Sequence, residues 1–486
     1  MRILTHRITR RVAGGTAALA LALGAGACSD FLTGERLTDN PNAPIVAAPL
    51  QLLVATQISL GNQQSGQLAR LASMFVQHLS GTNNQQADYG ARYTFTESDA
   101  NTFWNQNFTG GGLVDLRALQ ATAREANDQR VLGIALVMEA LRIGTMTSIW
   151  GDIPYSEAAG DVVTPKLDPQ QQVYAAVQAK LDSGIAALRQ VPAGAPALGQ
   201  DVIYNGNATR WIKAANTLKA RFHLHTAERL GAPAYQAALA AAQQGIDEAP
   251  TTPTQAMDGQ APGNLRSFHG QTINVDANIW AQFLGSRTDM TANQQFLALL
   301  AQRQDPRLAR WFTPSAGAAP AGAPAGITVG AATYRGADQF GRFAAGASTV
   351  NPVPRLANDF RQPLVTWTEN QLILAEARFQ TGDLAGALQN VNAVRSAVGL
   401  PALAAPITLR QIAEEKYVAM FQNIEAWNDW KRLCTPRLTP GGANFTSAAD
   451  IPGRLPYAFS ERNANPNIPA PGAQPQRNWN DPNACT

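Results

Sequence analysis

The sequence predicts a mainly all-α protein, with helices paired into a scaffold and long irregular loops forming a ligand-binding side. Three observations predict it. Apolar residues recur at steps of three and four through most of the chain, the period of a half-buried helix. Those stretches are joined by polar connections rich in Gly and Pro. Runs of alternating β-branched and aromatic residues, the mark of strands, are scarce. Of 486 residues, 45% are hydrophobic and 15% charged, enough for a large core and too little charge for a disordered chain.

In order along the chain, residues 1–27 read as a signal peptide that is removed. Arg2, Arg7, Arg10 and Arg11 form a basic start, and 12–27 are small and apolar, short for a membrane span. Cys28 follows Ala25-Gly26-Ala27, an arrangement similar to a bacterial lipoprotein signal cut before the Cys. Cys28 is therefore the expected lipidation (palmitate) site, and multiple acyl chains would hold the protein firmly on a bilayer. The next residue is Ser29, with no Asp directly after the Cys, which favours the outer membrane. The formal net charge of +3 includes those four arginines. Subtracting them from 38 basic residues leaves 34 against 35 acidic ones, with no basic patch for nucleic acid.

Residues 28–47 read as the lipidated Cys and a polar tether, and 48–486 as a single helical domain. Helices are expected over 48–80 (broken near Gly61-Asn62), 101–126, 128–149, 168–190, 208–230, 232–248, 291–303, 365–381, 383–398 and 408–432. Loop-rich insertions are expected at 83–100, 249–290 and 313–363, the last with room for a short hairpin, and the tail 433–486 reads as irregular. Trp211, Ala215, Leu218 and Phe222 form one apolar stripe. Ala413, Tyr417, Met420, Ile424 and Trp427 form another, started by a Thr408/Gln411 capping box and ended by Lys431 and Arg432. Gly382 and Asp383 end one helix and cap the next. Ala375, Ala377 and Ala387 allow those helices to approach closely. This unit of about 34 residues is similar to a tetratricopeptide repeat.

Few motifs suggest catalysis. His223 and His225 point to different sides of a helix and do not chelate as an i, i+4 pair would. No cofactor motif and no metal ligand set stands out. Trp150-Gly-Asp-Ile-Pro-Tyr155 reads as a helix exit rather than a catalytic loop, and Glu425 with Asp429 as an ion-pairing face toward Arg432. Cys434 and Cys485 are open to two readings, a disulfide closing a C-terminal loop or separate thiols.

Residues 83–108 and 268–290 concentrate aromatic rings, carboxamides and arginines, among them Asn84, Gln85, Gln86, Trp104, Phe268, His269, Asn274 and Gln282. A ring face covers the apolar face of a pyranose while amides take its hydroxyls, and the same groups serve peptides. On this loop chemistry alone the candidate ligand-binding residues are Tyr89, Arg92, Tyr93, Trp280 and Arg287.

Several segments together resemble SusD/RagB-like outer-membrane lipoproteins. They are Cys28-Ser-Asp-Phe-Leu32 with Asp39-Asn-Pro-Asn42, Trp150-Gly-Asp-Ile-Pro-Tyr-Ser-Glu-Ala158, Trp211–Arg221, Leu374-Ala-Glu-Ala377 with Gly382-Asp383, Glu425–Arg432, and Arg454-Leu-Pro-Tyr457 with Asn465-Pro-Asn467. The resemblance implies four tetratricopeptide-like pairs in a right-handed superhelical scaffold. It implies a non-enzymatic nutrient-capture lipoprotein with no cofactor. Its partners would be an oligosaccharide or peptide and a TonB-dependent, SusC-like β-barrel transporter. The matched motifs are scaffold motifs, so they name no binding residue. Two other readings compete: a repeat scaffold for protein partners, and a surface glycoside hydrolase drawing on Glu97, Asp99, Asp276 and Asp289.

Overall fold

In the computed structural model, which describes residues 48–272, 276–285, 287–440, 451–483 and 485, the chain runs as helix after helix. Contacts divide it into a unit of residues 1–51, of which 48–51 are described, and a unit of residues 52–486. The expected leader, Cys28, the tether and Asn274 lie outside the described residues.

Helix α1 (Pro49–Ser65) and α2 (Gln67–Phe75) separate at Gly66 rather than at Gly61-Asn62. A Cβ at Gly66 would lie 2.4 Å from the Asn62 carbonyl oxygen, so only glycine fits that corner. The 83–100 segment, read as loop, instead holds α3 (Asn84–Ala91) and begins α4 (Glu97–Asn105). Thr96 and Asp99 cap α4 reciprocally; Asp stands where Glu or Gln is the commoner signal. Gly110-Gly-Gly112 then breaks the expected 101–126 helix, with φ of +61° and +85° at the first two, before α5 (Leu113–Glu125).

The scaffold follows as α6 (Gln129–Trp150) with α7 (Gln170–Leu188), and α8 (Ala208–His225) with α9 (Ala232–Ala242). After an irregular stretch containing α10 (Gln294–Gln302) come α11 (Trp367–Gln380) with α12 (Leu384–Ala397), then α13 (Leu409–Ala419) with α14 (Glu425–Leu433). The pairs stack in sequence order: α7 on α8, α9 on α11, α11 on α13. The fold is mainly α-helical and tetratricopeptide-like. Small residues let the helices approach. Ala220, Ala238 and Ala377 are fully buried where α8, α9 and α11 meet. A Cβ on Gly133 of α6 would lie 2.5 Å from Leu188 Cγ and 3.0 Å from the Gly184 carbonyl oxygen of α7.

Helix α6 is long and apolar enough to cross a membrane, but its apolar window is wholly buried inside the protein, so it is a core helix. Its buried Glu139 accepts from the Tyr155 hydroxyl at 2.8 Å and pairs with Lys180 at 3.3 Å. The expected 408–432 helix is two helices, because Gln422 turns the chain at φ +62°. Its apolar stripe is nonetheless buried throughout, from Ala413 to Trp427. Buried charges lock the last pair. Glu376 of α11 sits between Lys416 Nζ at 2.8 Å and the bidentate Arg432 guanidinium. Asp429 bonds both cations, at 2.6 and 3.0 Å. Cys434 and Cys485 are joined by a disulfide across 51 residues, their Cα atoms 4.9 Å apart.

The strands are short. The 313–363 segment contains a hairpin of β4 (Ile327–Val329) and β5 (Ala332–Tyr334), and β2 (Leu265–Arg266) pairs with β6 (Pro363–Val365). The pairing that matters for function is antiparallel β1 (Leu79–Gly81) with β3 (Met290–Ala292), Ser80 opposite Thr291. One strand opens the first polar segment and the other closes the second.

Candidate functional site

The β1–β3 ladder brings the two polar segments alongside. Just beyond it, the Thr82 backbone N–H donates to the Asp289 carbonyl at 2.8 Å, and the Asn84 amide donates to the Asp289 carboxylate at 2.8 Å. Gly81 permits the tight entry to α3, since a Cβ there would overlap the Gln86 carbonyl at 1.9 Å.

The result is an open cleft of about 370 Å³. One wall is the first turn of α2, with Gln67 and Arg70. A second is the start of α3, with Asn84, Gln85 and Gln86. The third is the short helix Ile279–Leu284, with Gln282 and Phe283, followed by Arg287 and Asp289. Two cations lie over the Phe283 ring, the Arg70 guanidinium 4.2 Å from its centroid and that of Arg287 5.3 Å away. Arg287 reaches Asp289 at only 3.8 Å. Burial first, and the facing Arg287 second, pull the Arg70 guanidinium down to about 9 from its ordinary value. An aromatic face ringed by carboxamides that both donate and accept suits a polyhydroxylated ring.

The five residues singled out from sequence are distributed unevenly about this cleft. Arg287 lines it. Arg92, the C-cap of α3, is not part of the lining and pairs with Asp88 at 2.6 Å. Tyr89, Tyr93 and Trp280 are buried and do not line the cleft. Tyr89 packs on Phe95 and donates to Asp99 at 2.7 Å, and its phenol is pushed upward by burial and then by that carboxylate. Tyr93 meets Phe75 edge to face at 6.0 Å. Trp280 is fully buried on the inward face of the helix that offers Phe283 to the cleft. Tyr89 is carried on α3 and Trp280 on the 279–284 helix, while Tyr93 follows α3 in a left-handed conformation, φ +55°.

Gln67, Arg70 and Phe283 were missed. Arg70 carried a signal, a cation in the first turn of an otherwise apolar helix, where the dipole disfavours positive charge. The carboxylates considered for hydrolysis are all engaged. Glu97 accepts from Arg462 at 2.8 Å, Asp99 caps α4, Asp276 accepts from the Thr272 N–H at 3.0 Å, and Asp289 holds Asn84. Asp152 accepts from the first N–H of α7 at 2.7 Å, a helix-cap role. His225 bonds Glu425 at 2.8 Å and Tyr174 at 3.1 Å in the core, while Asp429 rather than Glu425 takes Arg432. Burial lowers the His223 imidazole to about 4.

Residues 41–458 match the model of the family SusD-like_2, described as starch-binding and associating with the outer membrane. The chain belongs to the SusD-like family. Solved structures agree with that fold. A chitin-binding protein is 24% identical with a TM-score of 0.72, covering 90% of this chain and 100% of its own. A chitin-binding SusD homolog from Flavobacterium johnsoniae is 20% identical with a TM-score of 0.68, covering 90% and 98%. A SusD/RagB family protein from Bacteroides thetaiotaomicron is 22% identical with a TM-score of 0.67, covering 90% and 99%. No match was found among curated protein sequences. SusD-like proteins are outer-membrane-associated binding proteins rather than enzymes.

Proposed function

We propose that this SusD-like protein captures a glycan at the outer membrane and passes it to a TonB-dependent, SusC-like β-barrel transporter. Acyl chains on Cys28 hold it to the membrane, facing the cell surface. The observation that carries the capture step is the cleft, where the two polar segments meet around Phe283. The family description and the two chitin-binding relatives support a sugar over a peptide. The ring supplies apolar contact, the carboxamides supply hydroxyl partners, and none of the four engaged carboxylates is left to attack a glycosidic bond.

The test is a mild-detergent pull-down of the full-length protein from its native outer membrane. A large β-barrel recovered at stoichiometric yield is the expected result. Recovery of the protein alone from intact outer membranes overturns the delivery step.

A further inference from the structure

Resting on the reading of this cleft as the ligand site, we propose that it selects an anionic glycan. A carboxylate or sulfate on the sugar would bridge Arg70 and Arg287 beside Phe283.

Arg221, Arg307 and Arg432 are buried against carboxylates, Arg221 on Glu369 at 2.6 Å and Arg307 on Asp305 at 2.6 Å. Others are capped by backbone carbonyls, while Arg266 donates to the Gln260 side-chain oxygen at 2.8 Å. Arg142 donates to Gln106 at 2.8 Å, Arg335 to Phe343 at 2.8 Å and Arg355 to Met257 at 3.0 Å. Arg70 has neither. Among the described residues it makes no ion pair, and its hydrogen bonds go to the Gln67 side-chain oxygen, at 3.0 Å from Nε.

Two cations thus lie over one ring in a cleft whose single carboxylate, Asp289, already holds Asn84 and touches only Arg287. Two cations beside one carboxylate leave an excess positive charge that an anionic ligand would offset. Burial first, and Arg287 second, depress the Arg70 guanidinium. Two more groups await partners. Gln67 Nε2 and Gln86 Oε1 are buried without a hydrogen bond, and both residues line the cleft. A planar carboxylate or a sulfate accepts from two guanidinium forks at once, while neighbouring hydroxyls satisfy an amide donor and an amide acceptor. Neutral sugars satisfy the amides and leave Arg70 without a carboxylate. An acidic peptide satisfies the arginines but has little use for a ring face surrounded by carboxamides.

The experiment is calorimetric titration of the mature protein with oligogalacturonate, a sulfated galactan oligosaccharide, a neutral galacto-oligosaccharide of matching length, and tetraglutamate. At least one anionic sugar is expected to bind tenfold or more tighter than the neutral one, weakening as salt rises. Which of the two binds distinguishes carboxylate from sulfate. Arg70→Gln and Arg287→Gln should each cost tenfold or more with an unchanged melting temperature. Equal binding of neutral and charged sugars, binding of neither acidic sugar, or preference for tetraglutamate overturns the proposal. Phe283→Ala separates the two levels. If it abolishes sugar binding while both arginine variants do not, the cleft is the site but not an anion site. If an anionic sugar binds and no cleft variant matters, the site lies elsewhere.

Discussion

Replacing Glu376 by Gln removes one negative charge from between two buried cations and changes almost no volume. Glu376 is fully buried, with Lys416 Nζ and Arg432 Nη2 each 2.8 Å away. Burial alone would raise its carboxyl, but Arg432 and then Lys416 overcome that and hold it at about 2, against an ordinary 4.5. At about 1.4 kcal/mol per decade, that difference amounts to roughly 3 kcal/mol in favour of the charged form. An independent estimate agrees: breaking a buried pair from one side costs about 3–5 kcal/mol. The lower end applies here because Asp429 still bonds both cations. The carboxyl is depressed in the folded state, so its contribution is full above about pH 4.5 and is lost as pH falls toward 2. Urea unfolding followed by tryptophan fluorescence should therefore show Glu376→Gln about 3 kcal/mol less stable at pH 7, and only about 1 kcal/mol less stable at pH 3. A penalty below about 1 kcal/mol at pH 7, or one independent of pH, would refute the reasoning.

Three further outcomes follow from the core. Buried His78 faces the Tyr417 carbonyl at 3.0 Å from Nε2 and is pulled down to about 3, chiefly by burial. The unfolded imidazole takes its proton near 6.5, so stability should fall by about 2 kcal/mol between pH 7 and pH 5, and His78→Phe should flatten that part of the denaturation profile. Gly133→Val should lower stability by about 1–3 kcal/mol in the same assay, since its side chain meets Leu188 and the α7 backbone. Reducing the Cys434–Cys485 disulfide, which spans 51 residues, should cost up to about 4 kcal/mol by loop entropy, read as a lower denaturation midpoint with dithiothreitol.

The scaffold was legible because its signals are local and periodic. The Trp211 stripe is buried as expected, the Thr408/Gln411 box caps α13, and Asp383 caps α12 directly after Gly382. What misled the reading was chain direction set by tertiary contacts. Gln422 adopts a left-handed conformation that no sequence rule assigns to glutamine, so α13 and α14 looked continuous. Of the polar segments, Asn84, Gln85, Gln86, Gln282 and Arg287 line the cleft. Within them, polarity hid the short helices. Trp280 is buried and Phe283, three residues on, lines the opening, a split that helical period alone does not give. Arg70 belongs to a helix whose other residues read as core, and only the pairing of β1 with β3 brings Arg287 opposite it.

The central claim is that the cleft around Phe283 captures a glycan without turning it over. The most direct measurement is retention of the mature protein on immobilised oligosaccharides, neutral and anionic, beside Phe283→Ala matched for melting temperature. The account expects a defined set of sugars to be bound and recovered intact, with binding reduced tenfold or more in the variant. No retained sugar, a hydrolysed product, or undiminished binding by Phe283→Ala would contradict it.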